Sequence, residues 1–184
     1  MLIPTASVQQ TQAPGLVLIE DQVLSSTSTF DFQNIPGTYK HLLLEYQLRG
    51  SDAGGSVFAL MRFNSDTGAN YQSVQQKFNG STTTLSQVSG STSARIATVP
   101  AAGAASANLA VTGKLDIPNY ASSSWYQGFM GQSVYVVTGS DDNYFGYNVA
   151  GEWEGATGAI TRIEIIASAG SFLANSRVTI YGLS

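Results

Sequence analysis

The chain has no cysteine among its 184 residues, one histidine, and only 8 Lys+Arg against 12 Asp+Glu. Each shortage excludes a class of chemistry. Without cysteine there is no disulfide, no thiolate nucleophile and no zinc–thiolate site. A lone His41 excludes any site that needs two imidazoles. The charged fraction is 11%, under half of the roughly 25% usual for a globular domain. The eight basic residues are scattered from Lys40 to Arg177 and the formal net charge is -4. Nucleic-acid and polybasic membrane contacts both require clustered Lys and Arg, so neither partner is expected. No apolar run reaches the length of a membrane-spanning helix. The segment MLIPTASVQQTQAPG has neither a basic start nor a long apolar stretch, so it does not read as a secretory signal. No G-x-x-x-x-G-K-[ST], G-x-G-x-x-G or G-x-S-x-G pattern is present, so phosphate-cradling and serine-elbow chemistry have no support. No cofactor and no metal centre is expected.

What the chain does have is small polar and apolar residues. Ser, Thr, Asn and Gln total 60 and apolar residues make up 43%, enough for one core in a chain of this length. Residues 1–15 carry Pro4 and Pro14 and no periodicity, and read as an extended N-terminal arm that docks on its own domain or on a neighbour. Residues 16–184 read as a single domain. Short apolar runs alternate with turn residues: Leu16–Leu24, Thr27–Phe32, Tyr39–Leu48, Ser56–Phe63, Tyr71–Phe78, Ala94–Val99, Leu109–Ile117, Trp125–Val137, Tyr144–Trp153, Ile160–Ala167 and Arg177–Leu183. Leu42, Leu44, Tyr46 and Leu48 share one face of their run, opposite His41, Glu45 and Gln47. Leu109, Val111, Leu115 and Ile117 likewise oppose Thr112, Lys114 and Asp116. A period of two marks half-buried strands. The Ser/Thr-rich stretch 80–93 fits either an edge strand or a long loop. No 3.6-residue pattern persists for three turns. The expected fold is all-β, an antiparallel jelly-roll-like β-sandwich.

Candidate chemistry is sparse. Glu152 and Glu154 flank Trp153, and paired carboxylates beside an aromatic suit glycoside hydrolysis. Residues two apart on a strand share a face, however, and a solvated face accounts for both. Asp141-Asp142-Asn143 groups hard oxygen donors of the kind calcium takes, but lacks a complete calcium-loop spacing and reads more simply as a turn. Asp66 is a weaker instance. His41 lies on a polar strand face, with Glu45 too far along the strand to orient it as a base. The stretch from Trp125 to Tyr147 is rich in aromatics, and Trp125, Tyr126, Tyr144 and Tyr147 are the candidates for a glycan platform. Asn148, Gln127 and Gln132 add planar hydrogen-bonding groups nearby.

Four dispersed segments carry a resemblance. They are Phe30-Asp31-Phe32-Gln33-Asn34-Ile35-Pro36-Gly37-Thr38-Tyr39-Lys40-His41-Leu42, Arg62-Phe63-Asn64-Ser65-Asp66-Thr67-Gly68-Ala69-Asn70-Tyr71, Ile117-Pro118-Asn119-Tyr120, and the tail from Ile160-Thr161-Arg162-Ile163 to Phe172-Leu173-Ala174-Asn175-Ser176-Arg177-Val178-Thr179-Ile180-Tyr181-Gly182-Leu183. In this order they resemble β-rich, jelly-roll-like virion structural proteins of tailed bacteriophages. Asn175 stands where glycine is expected, and asparagine is the next residue to tolerate a left-handed turn. The resemblance implies a non-enzymatic virion protein made in the host bacterial cytoplasm. The reading drawn from it is a capsid decoration, or cement, protein docking on the major capsid protein or other virion proteins. A homo-oligomer, specifically a trimer, is expected. The arm residues Leu2, Ile3, Pro4, Val8 and Pro14 are the expected interface. The alternative is a tail-tip or fibre module that binds host-surface glycan through the aromatic segment. A hydrolase using Glu152 and Glu154 is the third reading.

Overall fold

A computed structural model describes residues 15–54, 56–80, 82–102, 108–136 and 144–184. It contains no helix among them and twelve strands. In chain order these are β1 (Leu16–Val23), β2 (Phe30–Phe32), β3 (His41–Leu48), β4 (Ser56–Phe63), β5 (Tyr71–Asn79), β6 (Thr82–Ser91), β7 (Ala94–Pro100), β8 (Val111–Pro118), β9 (Gln127–Val136), β10 (Tyr144–Trp153), β11 (Ile163–Ala167) and β12 (Arg177–Leu183). An eight-stranded sheet runs β1-β12-β3-β8-β9-β10-β5-β6, and a four-stranded sheet runs β2-β11-β4-β7. Every pairing of named strands is antiparallel. The expected antiparallel sandwich is therefore present, with unequal layers. The arm expected over residues 1–15, with Leu2, Ile3, Pro4, Val8 and Pro14, lies outside the described residues except for Gly15.

Alternation builds the core. Leu42, Leu44, Tyr46 and Leu48 of β3 and Val111, Leu115 and Ile117 of β8 all point inward and are buried. They meet Val57, Ala59, Met61 and Phe63 of β4 and Ile163 and Ile165 of β11. Two glycines admit aromatic rings into the larger sheet. Gly113 pairs with Tyr46, and a Cβ there would sit 2.5 Å from the Tyr46 ring. Gly151 pairs with Phe129, and its Cβ would meet that ring at 2.3 Å. Each large side chain thus occupies the space that its cross-strand glycine leaves open.

The strand limits differ from the expected ones where groups outside the ladder take up the backbone. The expected Ile160–Ala167 begins at Ile163, because Ile160 N–H donates to Tyr120 O at 2.9 Å and Asn64 captures the N–H groups of Thr161 and Arg162. The expected Trp125–Val137 begins at Gln127, because Ser122 Oγ accepts from the N–H groups of Ser124 and Trp125. The expected Thr27–Phe32 shortens to β2, leaving Ser28 as an isolated bridge to Phe172. The stretch 80–93 resolves into β6, an edge strand of the larger sheet.

Candidate functional site

One end of the sandwich collects the first three segments that carried the resemblance and the Ile160–Ile163 start of the fourth, whose Asn175 turn lies at the opposite end beside Leu24. His41 pairs with Pro118, Trp153 with both Gln127 and Tyr71, and Leu16 with Leu183. Loops 33–40, 64–70, 119–126 and 154–162 consequently meet at this end, and Gly15 leaves from it.

Hydrogen bonds stitch these loops together. Asn64 is left-handed, with φ 51°. Its Oδ1 accepts from Thr161 N at 2.8 Å and Arg162 N at 3.1 Å, and its Nδ2 donates to Ala159 O at 3.0 Å. Arg162 clasps Asp31 through Nε–Oδ1 at 2.7 Å and Nη2–Oδ2 at 2.9 Å. That hydrogen-bonded pair lowers the Asp31 pKa. Tyr120 O–H donates to Pro36 O, and Ile35 N–H donates to Thr161 O. Asp66 takes three donors: Gly68 N at 2.7 Å, Asn70 Nδ2 at 2.9 Å and Trp153 Nε1 at 2.6 Å. Partial burial pushes the Asp66 carboxyl upward, but these donors outweigh it and the net shift is downward. Tyr71 O–H lies beside Phe63 N and Asp66 O, and burial raises its pKa to about 12. Asn34, Asn64, Ser65, Asn119 and Asn175 all have positive φ. The left-handed turn at Asn175 is thus formed without the expected glycine. These motif residues bend and fasten the chain. Asp66, weighed as a calcium ligand, organises its loop.

The aromatic residues grouped as a glycan platform do not share one surface. Tyr147 is 5% exposed and stacks on Tyr135, with ring centroids 6.1 Å apart and planes 12° apart. Tyr144 opens β10 at the far end, separated by the length of a ten-residue strand, about 30 Å, from Trp153. Trp153 marks the end that carries Trp125 and Tyr126. Those two are 72% and 50% exposed. The Gln127 amide is buried and donates to both Ser122 O and Trp125 O at 3.0 Å. With the Ser122 Oγ contacts, it holds Trp125 out on a stapled loop. Glu152 and Glu154 are both exposed on either side of the buried, stacked Trp153. His41 Nδ1 accepts from Asn119 N at 3.4 Å, as part of the same loop packing. Asp141, Asp142 and Asn143 lie outside the described residues.

Sequence reasoning missed a groove of about 800 Å³ on the outward face of the larger sheet. In register across successive strands lie Thr179, Glu45, Lys114, Gln132, Asn148 and Gln76. Neighbouring strands stand about 4.8 Å apart, so this polar row crosses the sheet at right angles to the strands. Tyr181, Phe78 and Val134 flank it. The Arg177 guanidinium at one margin is already engaged by Asp21, through Nε–Oδ1 at 2.8 Å and Nη2–Oδ2 at 3.0 Å. That pairing, with Thr179 Oγ1 donating to the same carboxylate, lowers the Asp21 pKa. Three amides and the Thr179 hydroxyl thus share the floor with Glu45 and Lys114. The signal lay in the outward residues of six separate strands, and only strand order aligns them.

No protein-family model, curated protein or solved structure matches this chain.

Proposed function

We propose that this protein is a structural component of a tailed-phage virion, a capsid decoration protein that works through contact surfaces and not through catalysis. The resemblance of the four motif segments supports the virion assignment. The observation that carries a docking role is Trp125, 72% exposed on a loop whose backbone is pinned by Gln127 and Ser122. A large aromatic presented from a pinned backbone has only its two side-chain torsions to order when a partner covers it, and tryptophan is among the side chains that dominate interface energetics. The expected arm joins at the same end, so arm and aromatic loop can engage one neighbour, the major capsid protein in this reading.

A second reading, a tail-tip or fibre module binding host glycan, is favoured by the groove. Its row sets three amides and one hydroxyl beside the oppositely charged neighbours Glu45 and Lys114, so it carries no net charge, and with aromatic side chains flanking it the row suits a hydroxylated, uncharged chain.

Immunogold labelling of intact particles separates the two. Label distributed over the head supports decoration, and label confined to one tail end supports the glycan reading. Particles without label overturn the virion assignment. On shells stripped of the protein, Trp125→Ser is expected to weaken rebinding by at least about tenfold, as an interface aromatic does. Unchanged rebinding removes Trp125 from the interface.

A further inference from the structure

The two edges of the eight-stranded sheet are built differently. Edge strands expose unpaired N–H and C=O groups, and proteins blunt them with charge, proline, bulges or short length. Strand β1 follows that rule: it carries Glu20 and Asp21 and a register break between Leu18 and Glu20. Strand β6 does not. Its ten residues, TTTLSQVSGS, include no charge and no proline. Its register with β5 is regular from Thr82 to Val88, with the only irregularity beyond that stretch, toward Ser91. Nearly every residue is exposed, and Leu85 is 70% exposed. The strand is nonetheless held in place, since Arg95 Nη1 donates to Ser86 Oγ at 3.3 Å while its guanidinium covers the Phe58 ring at 3.6 Å.

We infer that β6 is a self-pairing edge, joining β6 of a second copy in antiparallel register about a two-fold axis at Leu85. A two-fold contact places identical surfaces against one another, so any charge on the strand would meet a like charge. On β1, Glu20 and Asp21 would be brought against their own counterparts. On β6 the pairs formed are Leu85 with Leu85, Thr84 with Ser86, Thr83 with Gln87 and Thr82 with Val88. The Thr84–Ser86 hydroxyl pair, formed once on each side of the axis, is a favourable cross-strand neighbour. The axis at Leu85 shelters the most exposed apolar side chain of the edge against its equivalent. The partner is a second copy of this chain, and the joined sheet runs through sixteen strands, twice the eight of one protomer. The symmetry is two-fold, in place of the trimer expected from the sequence.

An edge ladder is small beside the roughly 1,600 Å² of a standard interface, so association belongs in the micromolar range. Sedimentation equilibrium of the full chain up to about 0.5 mM is expected to show a monomer–dimer equilibrium. Leu85→Lys sets two ammonium groups face to face and is expected to weaken the dimer at least tenfold without altering the circular dichroism spectrum. Because the chain has no cysteine, single thiols report cleanly. Directly opposed residues have Cα atoms about 4.5–5.5 Å apart, inside the disulfide range. Leu85→Cys is therefore expected to form a covalent dimer on mild oxidation, and Ser89→Cys, displaced from the axis, is not. A strictly monomeric protein overturns the inference. So does a dimer indifferent to Leu85→Lys, or one in which Ser89→Cys cross-links as readily as Leu85→Cys.

Discussion

Asn64 offers the sharpest test of how the loop end is held. Its side chain accepts from two backbone N–H groups, those of Thr161 and Arg162, and donates to one carbonyl, that of Ala159. Its backbone is left-handed, with φ 51°. Each hydrogen bond contributes about 0.5–1.5 kcal/mol net, and solvent exposure at this site places them toward the lower half of that range. Replacing Asn64 with Gly keeps the backbone conformation accessible and removes these three bonds together with a longer one that Oδ1 accepts from Thr161 Oγ1 at 3.3 Å, a loss of about 2 kcal/mol. Replacing it with Ala removes the same bonds and adds left-handed strain of about 1 kcal/mol, for about 3 kcal/mol in all. Asn64→Asp keeps the Oδ1 acceptor and loses only the Nδ2 donor, about 1 kcal/mol. The expected order of stability is therefore wild type, Asp, Gly, Ala. Urea titrations should show the midpoint falling in that order with an unchanged slope. Thermal midpoints should drop by about 2–4 °C per kcal/mol for a chain of this size, or about 6–12 °C for Asn64→Ala. A value for Asn64→Ala within about 0.5 kcal/mol of wild type would refute the view that this residue fastens β4 to the β11 approach. Equal losses for Gly and Ala would refute the strain component alone.

Two further perturbations address other parts of the fold. Asp21, Asp31 and Asp66 all have carboxyl pKa values held below the ordinary 3.8; Arg177 and Arg162 are the leading causes at the first two, and hydrogen-bond donors overcome burial at the third. A depressed folded pKa stabilises the native state above the unfolded value and loses that contribution as pH falls through the folded value. The urea midpoint should thus stay level from neutral pH to about 5 and fall steeply below about 4, with Asp31→Asn reducing the steepness. A midpoint that stays level down to pH 2.5 refutes it. In the core, Gly113→Ala drives a Cβ to within 2.5 Å of the Tyr46 ring and should cost about 1–3 kcal/mol. The cost should shrink in a Tyr46→Leu background, and strictly additive losses in a double-mutant cycle would deny the contact.

Local alternation made most of the fold legible. Strands β4, β10 and β12 have the limits that the pattern of apolar and turn residues predicts. The late start of β9 has a local cause in Ser122, whereas at β11 a side chain distant in sequence competes for the backbone. Asn64 is 97 residues from Thr161, and no local pattern could announce that it would delay the start of β11. Strand pairing is equally remote from local signals. Outward residues of β12, β3, β8, β9, β10 and β5 make the groove row only after the order β12-β3-β8-β9-β10-β5 is fixed. The aromatic platform failed for a geometric reason: the grouping treated chain proximity as surface proximity. Tyr144 and Trp125 flank one hairpin, yet a hairpin separates its tip from its base by the full strand length. Tyr147 has the wrong parity, since the inward register of β10 carries Tyr147, Val149 and Trp153 into the core.

The resemblance segments sharpen this point. Their distinctive residues are the ones that turn the chain (Asn34, Asn64, Asn119 and Asn175) or fasten the turns (Asp31, Asp66, Tyr71, Tyr120 and Arg162). Such residues specify a scaffold, because a buried or shared acceptor left without its donor is costly wherever the protein works. Their chemistry does not mark the surface through which the scaffold makes contact. That information has to sit where side chains face outward without fastening a turn: on Trp125 at the stapled loop, along the polar row from Glu45 to Gln76, and on β6. The third of these differs in kind. Trp125 and the groove row are side chains whose replacement leaves the sheet intact, whereas β6 offers backbone. A backbone edge accepts any strand unless charge or proline forbids it, and the uncharged sequence around Leu85 forbids nothing to its own copy. Leu85→Lys should therefore act as a gatekeeper of the kind β1 already has in Glu20 and Asp21, and its effect should fall on association alone.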